Sequence, residues 1–279
     1  MLYLCHSIGI INFLLSETNN MKVDLHNHTT LCNHATGSMD EYIQKAIEKN
    51  TQYFGFSEHA PMDFDTKYRM RFDQMAAYEQ DIVALQEKYK NQINILYGYE
   101  VDFLPNFMDK RVLNAKVDYL IGSVHFIGKW GFDNPEFIGE YKNRDIDLIW
   151  KEYFEAIEAM AKSGYFDIVG HLDLIKVFKY MPKKDIRLLA KDALVAIKKV
   201  NMVIEINMAG YRKPIAQAYP SPLLLEEISA LDIPITFGSD AHKPEQVSLY
   251  SNEVETLAKA YGYNKCVTFK QREKELITF

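Results

Sequence analysis

Seven short apolar runs rich in β-branched and aromatic residues recur along this chain, and longer amphipathic stretches separate them. The apolar runs span residues 22–28, 53–59, 95–101, 118–126, 166–171, 202–208 and 234–240. The main amphipathic stretches span residues 40–49, 73–89, 147–163, 185–200, 222–230 and 245–261. This alternation is typical of βα units that build a parallel sheet. The sequence therefore predicts an α/β fold with seven strands.

A chain of 279 residues, 48% of them apolar, has room for one barrel of about 250 residues or for two ordinary domains. No internal repeat, Pro-rich linker or low-complexity block marks a domain boundary, so we expect a single barrel domain over residues 21–279. Residues 1–20 contain an apolar stretch that is too short to span a membrane and lacks the basic flank and cleavage pattern of a signal peptide. Because Met21 directly precedes the first run, we interpret residues 1–20 as an upstream extension outside the fold, with Met21 as the natural start.

Nine residues of metal-binding types lie at the ends of these runs, and they include seven of the eight histidines. They are His26, His28, His34, His59, Glu100, His125, His171, Asp240 and His242. A single histidine at a strand end is usually a hydrogen-bonded core or surface residue, but seven at the same point of successive units are not independent accidents. The loops at the C-terminal ends of barrel strands converge on one face, and residues i and i+2 of a strand point the same way. The pattern predicts a polynuclear metal site at that face.

The three cysteines are an odd number without a Cys-x-x-Cys spacing, which argues against a disulfide framework and for a reducing compartment. We therefore expect a cytoplasmic protein. Cys32 lies between His28 and His34, where a thiolate ligand is conceivable. Imidazoles and carboxylates already suit zinc, iron or manganese without a thiolate, so we interpret Cys32 as a loop residue near the site.

The net charge is −6, and no basic run or basic-aromatic cluster stands out. This argues against a nucleic-acid partner, because binding to the phosphate backbone requires a positive surface. We expect no membrane partner and a small-molecule substrate.

Several motifs resemble the PHP (polymerase and histidinol phosphatase) superfamily, in particular its histidinol-phosphate phosphatase branch. They are DLHNHTTLCNHATG, FGFSEHAP, YGYEVDF, IGSVHF, FDIVGHLDLIKVF, VIEINMAGYRK and GSDAH, and they extend over residues 22–242. The resemblance implies a distorted seven-stranded (β/α)7 TIM-like barrel with a trinuclear metal site at the C-terminal ends of the strands.

The resemblance also implies a distribution of ligands over three divalent ions. His26, His28, Glu100 and Asp240 would surround the first ion. Glu100 would bridge to a second ion held by His125 and His171, and the third would be held by His34, His59 and His242. Three divalent ions and two carboxylates leave a formal charge of about +4 in the pocket, which attracts a phosphate dianion.

The expected activity is that of a phosphomonoesterase in which metal-bound hydroxide attacks phosphorus directly. The resemblance names the substrate as L-histidinol phosphate, an intermediate of histidine biosynthesis. Two alternatives stay open: a phosphodiesterase or nuclease acting on nucleotides, and a non-catalytic metal-binding module. The acidic net charge argues against the first, and the complete ligand set argues against the second.

Further residues on site-facing segments are assigned roles from their position. Glu100, Asp240 and His242 are expected to be catalytic as well as metal-binding, and Asp24 shares a face with His26, where it would orient that ring or protonate the leaving group. Asp173 and Glu58 are expected to orient the imidazoles of His171 and His59. The candidates for substrate binding are Arg212, Asn207, Arg71 and Lys176.

Overall fold

The structure is a computed structural model that describes residues 21–279, so the interpretation of residues 1–20 falls outside the described residues. Seven parallel strands form one sheet in the order β1-β2-β3-β4-β7-β8-β9, and two short antiparallel hairpins, β5-β6 and β10-β11, lie outside it. The strands are β1 Val23–Asp24, β2 Tyr53–His59, β3 Asn94–Asp102, β4 Tyr119–Ser123, β5 Phe126–Ile127, β6 Trp130–Gly131, β7 Ile168–Val169, β8 Val203–Asn207, β9 Ile235–Gly238, β10 Lys265–Lys270 and β11 Glu273–Thr278. The helices are α1 Met39–Glu48, α2 Met75–Tyr89, α3 Lys110–Leu113, α4 Ile146–Ser163, α5 Ile186–Lys199, α6 Pro222–Ala230 and α7 Ser251–Ala260.

Backbone hydrogen bonds between the two outer strands of the sheet close it into a barrel. The amide of Leu25 donates to the carbonyl of Phe237 at 2.9 Å, and the amide of Asp240 donates to the carbonyl of His26 at 2.6 Å. A parallel bridge between Asn27 and Ala241 continues this contact. The predicted seven-stranded barrel is therefore confirmed, and the ends of β1 and β9 lie side by side at its C-terminal face.

The predicted strands are found, but several are shorter than their apolar runs. The first run forms a regular strand only over Val23–Asp24, and beyond it residues 25–28 make irregular backbone hydrogen bonds with the end of β9 and with Ser57 of β2. The fourth run ends as a strand at Ser123, and its remainder enters the β5-β6 hairpin. These differences lie at strand ends, where loops leave the barrel to build its upper face.

Helix boundaries follow recognisable capping signals. Ser38 and Glu41 form a reciprocal capping box at the start of α1, and Asp145 caps α4, which ends at Gly164 in the left-handed conformation. The stretch predicted as helix from residue 245 begins only at residue 251. Ser248 has a φ of 52°, which interrupts helical backbone and explains the late start.

The β10-β11 hairpin closes the N-terminal mouth of the barrel, opposite the predicted site. The hydroxyl of Thr236 in β9 donates to the carbonyl of Val267, and the amide of Arg272 donates to the carbonyl of Asp118 just before β4. Phe269 is buried beneath the barrel near Tyr119. Within residues 21–279, no helix combines the length and apolarity that crossing a membrane requires.

Candidate metal centre

The structure brings all nine predicted metal-binding residues together at the C-terminal face of the barrel. Their rings pack closely: the centroids of His28 and His59 are 4.1 Å apart, those of His28 and His242 are 4.2 Å apart, and those of His125 and His171 are 4.8 Å apart. Side chains from six strand ends therefore converge on one volume, as the positions of the apolar runs predicted.

One group of donor atoms surrounds an oxygen of Glu100. Glu100 Oε2 lies 3.4 Å from His26 Nε2 and 3.6 Å from His28 Nε2. Asp240 Oδ1 lies 3.2 Å from the same His28 nitrogen and 4.0 Å from His26 Nε2. Two imidazoles and two carboxylates thus point their ligand atoms at each other, which is the set that the family resemblance implies for the first ion.

The other oxygen of Glu100 faces a second group. Glu100 Oε1 lies 2.9 Å from His171 Nε2 and 3.6 Å from His125 Nε2. The hydroxyl of Ser123 donates to this oxygen at 2.7 Å, which fixes the carboxylate plane. Because its two oxygens face different groups, Glu100 has the geometry of a bridging ligand.

The third implied set is more loosely arranged. The ring centroid of His34 lies 4.6 Å from that of His242 and 5.4 Å from that of His59. Ligand atoms of His28, His59 and His242 lie within 4.8 Å of one another, as do those of Cys32, His34 and His242. Cys32 Sγ contacts the carbonyl of Thr29 at 3.1 Å, and burial raises the pKa of its thiol. Both features favour a protonated thiol beside the site.

Several buried polar atoms in this cluster have no hydrogen-bond partner among the described residues. They are His26 Nε2, both ring nitrogens of His28, Glu100 Oε2, His171 Nδ1 and His242 Nε2. Buried polar atoms are nearly always satisfied, so a cluster of unsatisfied ones requires an explanation. Imidazole nitrogens and carboxylate oxygens are suitable ligands for zinc, iron and manganese. The residues present therefore fit divalent metal ions.

Four of the seven imidazoles are oriented through their other ring nitrogens, as is usual for metal-binding histidines. His26 Nδ1 donates to Glu205 Oε1 at 2.7 Å, and His125 Nδ1 donates to Asp102 Oδ1 at 2.6 Å. The ring of His34 is held by a backbone carbonyl at 2.8 Å, as is that of His242 at 3.1 Å. Sequence reasoning did not assign this role to Glu205 or Asp102. For Asp102 the sequence did contain a signal. It lies two residues after Glu100 on the same strand, so the two side chains point to the same face of the sheet.

Two predicted orienting residues have other partners. Glu58 accepts the backbone amides of His59 and Thr29, each at 2.8 Å, so it holds backbone groups and not the ring of His59. Asp173 pairs with Lys176 at 3.0 Å and accepts the amide of Ser221 at 2.8 Å. The expectation that Asp173 orients His171 is therefore wrong.

The cluster lies in a cavity of about 320 Å³ that has a cationic wall. Arg212 and Lys213 line it, together with Tyr219 and Gln246. One guanidinium nitrogen of Arg212, Nη2, donates to the carbonyls of Ser239 and Asp240 at 2.8 and 2.9 Å. The other, Nη1, is buried without a hydrogen-bond partner among the described residues.

The remaining candidates for substrate binding do not line this cavity. Asn207 is buried, donates to Glu205 at 3.0 Å and accepts the amide of Ala209 at 2.8 Å. Lys176 is fully buried and donates to the carbonyl of Ala218 at 2.7 Å, besides its contact with Asp173. Both side chains therefore stabilise the loops that carry the site.

Arg71 and Asp24 are also placed away from the cavity lining. The side chain of Arg71 is 67% exposed and pairs with Asp73 at 3.0 Å. Asp24 is buried beneath the site, where it accepts the amide of Ser239 at 2.8 Å and the side chain of Asn27 at 3.1 Å. With these contacts Asp24 ties β1 to the end of β9 and does not touch the ring of His26.

A second cavity of about 310 Å³ adjoins the first and shares His34, His59, His125 and Asp133 with it. Its other walls carry acidic and aromatic side chains, among them Asp65, Tyr68, Asp102, Phe126 and Phe137, and one cation, Arg69. Arg69 is committed to Asp102, with a distance of 2.9 Å between Nη1 and Oδ2. The two cavities therefore place a cationic wall and an acidic wall on different sides of the histidine cluster.

The electrostatics of the cluster follow from burial of many opposite charges. Burial alone would raise the pKa of Glu100, but His26, His59 and His125 hold it well below its usual range. Burial likewise disfavours the charged form of His125, yet Asp102 and Glu100 raise its pKa to about 10. The carboxylates are thus ionised and ready to bind cations.

Two of the nine residues adopt left-handed backbone conformations. The φ of His171 is 23° and that of Asp240 is 51°. Such conformations are unfavourable for residues with a Cβ and concentrate at functional sites, where the surrounding structure maintains them. The strand ends are bent so that both side chains turn into the cluster.

The comparisons with known proteins agree with this geometry. The family model of the PHP domain matches residues 24–209. A Deinococcus radiodurans protein named "Probable histidinol-phosphatase" is 38% identical over 90% of this chain and 98% of its own length. A Bacillus subtilis histidinol-phosphatase is 30% identical over 81% of this chain and 95% of its own length.

Among solved structures, a histidinol phosphate phosphatase from Lactococcus lactis, complexed with zinc, L-histidinol and phosphate, has a TM-score of 0.75 with 23% identity. The alignment covers 92% of this chain and 100% of that one, which supports the same barrel fold. The family model matches residues 24–209, and the alignment with the Deinococcus radiodurans relative covers 90% of the chain. The chain belongs to the PHP domain family.

Proposed function

We propose that this protein hydrolyses L-histidinol phosphate to L-histidinol and phosphate as a step of histidine biosynthesis in the cytoplasm. The relatives from Deinococcus radiodurans and Bacillus subtilis, aligned over nearly their whole lengths, support this substrate. The observation that carries the proposal is the cluster of buried ligand atoms that lack partners among the described residues, in a cavity that Arg212 also lines. A metal cluster beside a fixed cation is suited to a phosphate ester.

Three divalent ions are proposed, and zinc, iron and manganese all suit the donor set. His26, His28, Glu100 and Asp240 would hold the first ion. Glu100, His125 and His171 would hold the second, and His34, His59 and His242 the third. When bound, such ions polarise the phosphate group and acidify water, so that hydrolysis proceeds near neutral pH.

Arg212 is proposed to bind the phosphate group, with Lys213 adding positive charge to the same wall. A guanidinium recognises phosphate oxygens with directed hydrogen bonds, and Arg212 is already fixed by two backbone carbonyls. Because those carbonyls belong to Ser239 and Asp240, the phosphate-binding donor is rigidly connected to a metal-binding residue. This connection positions the phosphate without much loss of side-chain entropy.

Glu205 and Asp102 are proposed to keep the rings of His26 and His125 in place during the reaction. Both carboxylates are buried and receive short hydrogen bonds from the rings. Asp102 is itself held by Arg69, so it cannot rotate towards the substrate. These contacts leave the other ring nitrogens facing the cavity, where binding occurs.

The substrate class is tested by phosphate release from histidinol phosphate, p-nitrophenyl phosphate and bis-p-nitrophenyl phosphate, each with and without a chelator. We expect fast, chelator-sensitive hydrolysis of histidinol phosphate and little cleavage of the diester. Preference for the diester would assign the protein to the phosphodiesterases. No turnover of any ester by fully metallated protein would favour a metal-binding module.

A further inference from the structure

The cavity that adjoins the metal cluster has the chemical character of a site for a cation with an aromatic ring. Besides histidines, the residues of 21–279 that line it contribute three carboxylates, three aromatic side chains and one cation, Arg69. The opposite wall, with Arg212 and Lys213, has the character of a phosphate site. A substrate with a phosphate at one end and a positive charge at the other would lie across the cluster in one direction.

The three carboxylates of this cavity differ in the hydrogen bonds and ion pairs that they make with other side chains. Asp102 is bound to Arg69 at 2.9 Å and to His125 at 2.6 Å. Asp65 lies 3.5 Å from another nitrogen of Arg69. Within residues 21–279, no hydrogen bond or ion pair engages the side chain of Asp133, which lines both cavities. Asp133 is therefore the carboxylate that is free to bind a ligand.

Asp133 lies outside the barrel strands. It follows the β5-β6 hairpin and precedes a 3-10 helix at Pro135–Asn143, so it belongs to a loop segment that lines the cavity beside the histidine cluster. Phe126, on the same hairpin, and Tyr68, whose ring lies 5.6 Å from that of His34, offer aromatic surface beside it. L-histidinol has an ammonium group and an imidazole ring, which match a carboxylate and aromatic walls.

We propose that Asp133 is the specificity-determining residue that binds the ammonium group of the substrate, with the leaving alcohol in the acidic, aromatic cavity and the phosphate facing Arg212. This assignment rests on the proposed function, because it takes the substrate to be an amino alcohol phosphate. It adds a residue for choosing the alcohol, which the metal cluster cannot do.

The test compares histidinol phosphate with imidazolylpropyl phosphate, which lacks the amino group, in the wild type and in Asp133→Asn. A hydrogen-bonded ion pair between ammonium and carboxylate corresponds to roughly a ten- to hundredfold preference. We expect the wild type to show this preference in kcat/KM and Asp133→Asn to lose most of it. Changing the residue and removing the amino group of the substrate together form a double-mutant cycle. The cycle measures the coupling between Asp133 and the amino group separately from any general loss of activity.

Glu136→Gln is the matched control, because Glu136 is an exposed acid on the same segment and lines neither cavity. It should keep the preference for the amino substrate. Metal content is measured for each variant. If Asp133→Asn lowered kcat/KM equally for both substrates, left the preference intact, or lost metal, the assignment would be overturned.

A measurement on the wild type decides the question if Asp133→Asn does not fold. L-histidinol should inhibit hydrolysis of p-nitrophenyl phosphate at least tenfold more strongly than imidazolylpropanol does, and equal inhibition would overturn the assignment. The proposed function fails in a different way. A wild type that hydrolyses p-nitrophenyl phosphate but not histidinol phosphate contradicts the substrate, whereas hydrolysis of both amino and deamino esters at equal rates contradicts only Asp133.

Discussion

Glu100 is the residue on which the site is centred, because each of its carboxylate oxygens faces a different set of imidazoles. Neighbouring residues determine the geometry of the imidazoles themselves. Glu205 illustrates this: it accepts hydrogen bonds from His26 Nδ1 at 2.7 Å, from the amide of His171 at 2.9 Å and from Asn207 at 3.0 Å. One buried carboxylate thus positions two of the proposed metal ligands.

Replacing Glu205 by glutamine tests that positioning role. A glutamine has one acceptor oxygen where three donors converge, so its amide would face at least one donor. We expect Glu205→Gln to lower metal affinity or kcat by roughly 10- to 100-fold, the usual cost of losing a residue that orients a metal ligand. Metal titration and steady-state kinetics measure this. The exposed Glu226→Gln is the control, and identical behaviour of the two variants would contradict the role.

Metal affinity should depend on pH through His28 and His125. In the metal-free protein burial disfavours their charged forms, but neighbouring carboxylates raise the pKa of His28 to about 9 and that of His125 to about 10. Both rings therefore bind protons at pH 7, and a metal must displace them. We expect metal affinity to rise and proton release to fall between pH 7 and about 9, measured by calorimetry in two buffers. Affinity that is constant over this range would contradict the prediction.

At the scale of the elements, β8 and β9 approach each other closely just below the site. A Cβ on Gly238, at the end of β9, would lie 1.9 Å from Glu205 Oε1 and 2.6 Å from His26 Cβ. No side chain fits there without moving Glu205 or His26. The absence of a side chain at this position is therefore part of the site.

The variant Gly238→Ala should push Glu205 away from His26. We expect a loss of stability of roughly 1–3 kcal/mol from overpacking, together with a loss of activity larger than the stability change explains. Gly139→Ala is the control, since a Cβ there meets nothing within 4 Å. Thermal unfolding and kcat/KM are measured for both variants. Full activity in Gly238→Ala would show that the strand ends adapt.

Sequence patterns predicted the strands and most helices, because apolar periodicity determines which segments enter the barrel. Residues 222–230 match α6, and residues 53–59 match β2. The β5-β6 hairpin and the 3-10 helix Pro135–Asn143 were not predicted, since short irregular segments carry no periodic signal. Asp133 lies between these two elements, so the sequence did not predict that its side chain lines both cavities.

At the scale of the whole molecule, the proposed site and the hairpin that packs against the barrel lie at opposite ends of the strands. The strand ends that carry the nine candidate ligands lie at one face, and the β10-β11 hairpin covers the other. The nine metal-binding candidates were recognisable because parallel strands bring equivalent ends to one face. The hydrogen-bond partners of Lys176, Asn207 and Asp24 could not be recognised in the sequence. These partners belong to loops that approach the three side chains only in the folded chain.

A substitution at the closed face should therefore affect stability and not catalysis. Phe269 is 3% exposed and packs beneath the barrel. We expect Phe269→Ala to lower the free energy of unfolding by roughly 3–5 kcal/mol. Its kcat/KM should stay at the wild-type value at temperatures where the variant is folded. Chemical denaturation and kinetics on the same preparation measure both, and a catalytic defect in folded protein would contradict the separation.

The most direct test of metal-dependent phosphatase activity is the rate of phosphate release from histidinol phosphate before metal removal, after it and after metal is returned, with metal content determined at each stage. We expect about three metal ions per chain in the active protein, loss of turnover on removal, and recovery with zinc, iron or manganese. Turnover that persists in the metal-free protein would contradict the assignment of the histidine cluster as the catalytic centre.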